Sequence, residues 1–159
     1  MPNVILICGK ICCGKTAYAQ KLCVENNAVL LSVDEIMLEL FGQTCGDKHD
    51  EYTEKAKLYL LRKSLELIQK GINIVLDWGF WTREERKEIK EFYVSRGIKS
   101  ELHYIDISDE IWRFRMNKRN NAVLAEETSA YYIDDNLAAK FASIFEAPSK
   151  DEIDIIHCE

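Results

Sequence analysis

The sequence predicts an α/β fold, a parallel sheet with helices on both faces. Three observations carry that prediction. Short apolar runs suited to buried strands recur along the 159 residues, and each is followed by a helical pattern. A glycine loop, Gly9-Lys10-Ile11-Cys12-Cys13-Gly14-Lys15-Thr16, stands between the first strand and the first helix. Gly9 to Thr16, Asp34, Asp77 and Ser108 all fall at the ends of expected strands. In such a sheet those ends converge on one edge, where ligands bind. The length suits one domain, taken here as 1–159.

The elements follow in order. Residues 4–8 are an apolar strand, and 16–22 hold good helix formers with no breaker. Residues 28–33 read as a second strand, 35–41 as a short helix closed by Gly42, and 43–52 as a polar loop. Residues 53–70 form a long amphipathic helix, with Ala56, Leu60, Leu61, Leu67 and Ile68 on one side and Gly71 as its cap. A third strand over 72–76 ends at Asp77, and 78–81 make a loop. Thr82 and Glu85 form a capping box for a helix over 83–95. A fourth strand covers 101–107. Ser108 caps a helix over 109–119, and 120–130 is a flexible excursion. A helix over 133–145 and a short strand over 153–157 close the chain.

Composition narrows the function. Hydrophobic residues make up 47%, a globular value. No apolar run approaches a bilayer span, and no signal peptide precedes Val4, so a cytoplasmic protein is expected. The net charge of −6 disfavours broad binding to nucleic acid. Six cysteines lack metal-site spacing, and two of them lie inside the glycine loop; reduced thiols are the expectation. Cys12 and Cys13 are either tolerated small side chains or redox-sensitive ones.

The glycine loop matches G-x-x-x-x-G-K-[ST], the phosphate-binding pattern called Walker A. Its glycines let the backbone wrap an anion, and the following helix aims free N–H groups at it. Gly9, Cys12, Cys13, Gly14, Lys15, Thr16 and Ala17 are the candidate nucleotide contacts. Lys15 is placed to reach the β- and γ-phosphates, and Thr16 to hold Mg²⁺. Asp34 is a candidate base that takes the proton of an acceptor hydroxyl; its alternative is a helix N-cap. Asp77 is a candidate Mg²⁺ holder in the manner of a Walker B aspartate, or a turn residue. Trp78, Phe80 and Trp81 either wall a pocket or cap the core. Arg115 and Arg119 stand four apart, on one helical face, and are candidates to reach bound phosphates; the alternative is a solvated basic face. His49, His103 and His157 carry no suggestive spacing.

Together these residues resemble the small P-loop kinases related to polynucleotide kinase, zeta toxin and chloramphenicol phosphotransferase, often labelled AAA-type ATP-binding proteins. The matching pieces are Gly9 to Thr16, Ser32-Val33-Asp34, Val75 to Trp81 with Arg83 and Arg86, Arg115 to Asn120, and Phe145-Glu146-Ala147-Pro148. The resemblance implies a P-loop NTPase fold with a five-stranded parallel sheet, ATP and Mg²⁺ as cofactors, Asp34 as the acceptor-activating base, and an arginine-bearing lid over about 113–131. One position departs. Polynucleotide kinases carry an arginine three residues after the catalytic aspartate; Met37 stands there. A kinase acting on a small-molecule hydroxyl is therefore expected. Its rivals are a polynucleotide 5′-hydroxyl kinase and an ATP-binding or hydrolysing module without an acceptor.

Overall fold

The computed structural model describes residues 1–158. Five strands form one sheet: β1 (Val4–Gly9), β2 (Ala28–Ser32), β3 (Asn73–Gly79), β4 (Ser100–Asp106) and β5 (Ile155–Cys158). Their order is β2-β3-β1-β4-β5, and every pairing is parallel. Six helices connect them: α1 (Lys15–Asn26), α2 (Val33–Phe41), α3 (His49–Gln69), α4 (Arg83–Val94), α5 (Asp109–Leu124) and α6 (Asp135–Ile144).

β1 is central, and all six of its residues are buried, as a strand covered on both faces requires. Val4, Leu6 and Cys8 join the core on one side, with Leu60, Leu61, Ile89 and Tyr93. Ile5 and Ile7 join the other, with Ala19 and Leu22 of α1. This is the alternation a pleated strand imposes.

One irregularity matters for the site. Leu6 pairs with Leu76, but Cys8 pairs with Gly79, so β3 carries one extra residue opposite β1. The bulge falls at Asp77 and Trp78. Bulges at sheet ends re-aim side chains, and here two functional candidates sit on it.

Four differences from expectation bear on the site. β3 runs on through Trp78 and Gly79, because the bulge keeps them in the sheet. α3 begins at His49, in a stretch expected to be loop, with Asp50 and Glu51 favouring its N-terminal turn. α5 continues to Leu124, so the irregular stretch before α6 starts after it. Asp34 is no N-cap: the hydroxyl of Ser32 accepts from the Glu35 N–H at 3.3 Å and takes that role, leaving Asp34 inside the first turn. Thr82 and Ser108 cap α4 and α5 as expected. Among the described residues no helix is long and apolar enough to cross a membrane.

Candidate active site

The phosphate loop leaves β1 and enters α1 through Gly14, whose φ of +102° lies in the left-handed region. A Cβ there would also stand 2.8 Å from Nη1 of Arg115. Gly9 is needed for a different reason: a Cβ would meet Cys13 Sγ at 2.5 Å and the Ile105 carbonyl at 3.1 Å. Lys15 folds back over the loop. Its Nζ donates to the Lys10 carbonyl at 2.7 Å and the Gly9 carbonyl at 3.1 Å. Thr16 Oγ1 donates to Asp77 Oδ2 at 3.0 Å, across the gap between α1 and β3.

Helix α5 lies along the outside of this loop and holds it residue by residue. Asp109 pairs with Lys10 Nζ at 3.0 Å. Trp112 Nε1 donates to the Ile11 carbonyl at 2.6 Å. Arg119 Nη1 donates to Cys12 Sγ at 3.4 Å, and Arg115 Nη1 to the Cys13 carbonyl at 2.6 Å. The spacing 109, 112, 115, 119 puts all four on one face of the helix. Neither arginine belongs to a solvated face.

A cavity of about 900 Å³ opens beside the loop. Lys15, Thr16, Asp34, Asp77, Arg115 and Arg119 all line it, although they span more than a hundred residues of sequence. Cys12, Gly14 and Ala17 also line it. Cys13 is buried, with its side chain in the core beside α1, so it offers the site its backbone. Burial raises its thiol above the usual range, with Lys15 opposing.

Asp34 lines the cavity and is open to it. Loss of bulk water and the negative charge of Asp77 raise its carboxyl above the usual range; Lys15, Arg119 and His49 pull the other way. A raised carboxylate in a cleft is a stronger base than a solvated one. Tyr131 stands near it, its phenol pushed up to about 12 by burial and then by the charge of Asp34.

Some readings change. Met37, at the position where polynucleotide kinases carry an arginine, is 2% exposed, packs in the core and does not line the cavity. Arg86, matched to the P-loop kinases, is 1% exposed and structural. It donates to the carbonyls of Phe80 at 3.1 Å and Glu146 at 2.8 Å, and to Glu152 at 2.9 and 3.3 Å. Trp78 does both things offered for it: it packs on Phe80 and lines the cavity. His49, given no role, lines the cavity too; His103 bonds the Tyr18 hydroxyl at 3.0 Å, inside the fold. The α3 and α4 wall, with Thr53, Lys57 and Glu85, was not foreseen. Thr53 and Lys57 lie one helical turn apart on the same face as the apolar stripe, so the helical pattern alone reads them as core-facing.

Fold and loop define a P-loop nucleotide-binding protein, with the sheet architecture of the P-loop kinases. The chain belongs to the AAA domain family, whose model matches residues 4–143. No curated protein matches it. Among solved structures it is similar to a sugar kinase from Janibacter sp., with a TM-score of 0.68 at 16% identity, covering 99% of this chain and 85% of that one. It is similar to the APS kinase CysC of Mycobacterium tuberculosis in complex with AMPPNP and APS, with a TM-score of 0.65 at 15% identity over 99% and 88%. It is also similar to a chain of the Pnkp1/Rnl/Hen1 RNA repair complex, with a TM-score of 0.71 at 19% identity over 89% and 43%.

Proposed function

We propose that the protein is an ATP-dependent kinase that phosphorylates a hydroxyl of a small molecule. One observation carries the reading: a single cavity joins a phosphate loop, the Asp34 carboxylate and two arginines.

In this reading the loop N–H groups and Lys15 bind the β- and γ-phosphates, Lys15 exchanging its two carbonyl partners for phosphate oxygens. Arg119 Nε is buried without a partner, a donor matched to a phosphate oxygen. Arg115 supplies a second guanidinium where charge spreads during transfer. Asp34 orients the acceptor hydroxyl and takes its proton. The acceptor oxygen bonds to the γ-phosphorus, the bond from that phosphorus to the bridging oxygen breaks, and ADP leaves.

The oxygens of Thr16 and Asp77 are hard donors that suit Mg²⁺, which would neutralise phosphate charge when bound. Among the described residues no cluster of three His, Cys, Asp or Glu side chains could hold a metal, so its other ligands would be phosphate oxygens and water. The arginine-bearing stretch over 113–131 would act as a lid, and 1–159 as one domain. Six free thiols, two of them in the loop, support a cytoplasmic setting.

Labelled ATP offered to sugars, nucleosides, aminoglycosides and 5′-hydroxyl oligonucleotides tests the reading. Transfer to a small hydroxylated compound supports it. Transfer to the oligonucleotide alone makes the protein a polynucleotide kinase, and hydrolysis without transfer removes the acceptor altogether.

A further inference from the structure

The cavity has two unlike sides. Lys15, Arg115 and Arg119 stand on the phosphate side. Opposite them, around α3 and α4, the lining carries Asp47, Asp50, Glu54 and Glu85. The cation among them is already paired: Lys57 Nζ bonds Glu85 at 2.7 Å and Glu54 at 3.1 Å. His49 stands 3.6 Å from Asp50. Asp34 and Asp77 bring the lining carboxylates to six, against five lysines and arginines, three of which face the phosphates. Bound ATP adds further negative charge. An anionic acceptor would enter against this field, and a cationic one with it.

A second observation is independent of charge. Trp78 is 8% exposed and lines the cavity, and its indole Nε1 is buried with no partner. Thr53 Oγ1, on the facing helix, is buried and unpartnered as well. An indole N–H can only donate, so its missing partner is an acceptor oxygen. Leaving such a group unmet is costly, which points to a ligand that meets it. Trp81 and Tyr131 add aromatic surface to the same cavity.

We propose that the acceptor is a cationic polyol, an ammonium-bearing sugar or sugar alcohol, with its charge among the α3 and α4 carboxylates and its oxygens on Trp78 Nε1 and Thr53 Oγ1. This rests on the kinase reading. The ammonium has no lone pair, so the phosphoryl group passes to a hydroxyl.

The test compares acceptors of one skeleton and three charges, glucosamine, glucose and glucuronate, together with kanamycin, using labelled ATP and the whole chain. The amine-bearing compounds should exceed the neutral one in kcat/KM by about tenfold, with glucuronate last, the sum of several exposed charge pairs. Equal use, a reversed order, or no transfer to either amine overturns the proposal. ATP binding by calorimetry separates the two levels: if ATP is not bound, the kinase reading itself fails. Asp50→Asn with Glu54→Gln should narrow the preference for amines. Trp78→Phe, which keeps a ring and loses the N–H, should raise acceptor KM by roughly two- to tenfold with ATP KM unmoved. An unmoved acceptor KM removes Trp78 from the site.

Discussion

The hydroxyl of Thr16 and the carboxylate of Asp77 are in hydrogen-bond contact at 3.0 Å, although 61 residues separate them. Strand β3 delivers the aspartate and the loop delivers the threonine, and the bulge at Asp77 brings them to the same height. Asp77→Asn keeps the shape and loses the charge. Its Mg²⁺ requirement, titrated at saturating ATP, should rise by about 10- to 100-fold. An unchanged titration would mean that Asp77 only orients Thr16.

Asp34 should control both rate and stability, with opposite signs. Asp34→Asn should cut transfer by about 10²-fold or more and leave ATP affinity nearly intact. Because the folded carboxyl is raised, the folded state disfavours its charge. Its favourable contribution is present below the unfolded value of about 3.9 and is lost as pH rises through the folded one. Asp34→Asn should therefore melt higher than the parent near neutrality, and the gap should close toward pH ~3.5. The acid limb of the parent's pH–rate profile should lie above the usual carboxylate range. A variant less stable than the parent at pH 7 contradicts the raised carboxyl.

Glu152 behaves in the reverse sense. Partial burial pulls its carboxyl up, but bonds from Arg86 and Ser149 outweigh this and hold it at about 2. Its stabilisation is present above the unfolded value of about 4.3 and is lost as pH falls toward 2. Glu152→Gln should lose stability at pH 7 and converge with the parent in strong acid. Arg86→Ala is harsher. It strips the Phe80 and Glu146 carbonyls and leaves Glu152 unpaired, so urea unfolding should show a loss of about 3–5 kcal/mol. A loss within experimental error would show that the closing turn does not depend on this pair.

Two glycines with similar backbone needs should respond differently. Gly97 has φ +69° and open space where a Cβ would stand, so Gly97→Ala should cost about 1–2 kcal/mol and leave nucleotide binding alone. Gly14→Ala adds a contact with Arg115 to the same kind of strain and sits against the phosphates, so ATP binding should be lost. Equal ATP affinity in the two variants would mean that the loop tolerates a side chain at Gly14.

The loop and the strand ends were legible because local chemistry announces them: glycines at fixed spacing, and aspartates that close apolar runs. Ser32 over Asp34 as the cap of α2 was not legible, since both residues are good caps and tertiary register chose between them. The start of α3 at His49 was hidden by polar residues that read as loop but make a first turn. The α3 and α4 wall of the cavity was least visible. Thr53, Trp78 and Glu85 come from three elements, and no short-range pattern links them. A motif position does not say which way its side chain points, and Met37 points into the core.

Helix α5 holds four consecutive loop residues, and one of the four contacts is the indole of Trp112 on the Ile11 carbonyl. The chain's other two tryptophans, Trp78 and Trp81, line the cavity itself. Every indole in the molecule thus borders either the loop or the cavity, and none lies in a remote part of the core. Intrinsic fluorescence is therefore a local signal in this protein. Ligand entry can be followed in the unlabelled chain, and replacing Trp112 alone separates what the loop reports from what the cavity reports.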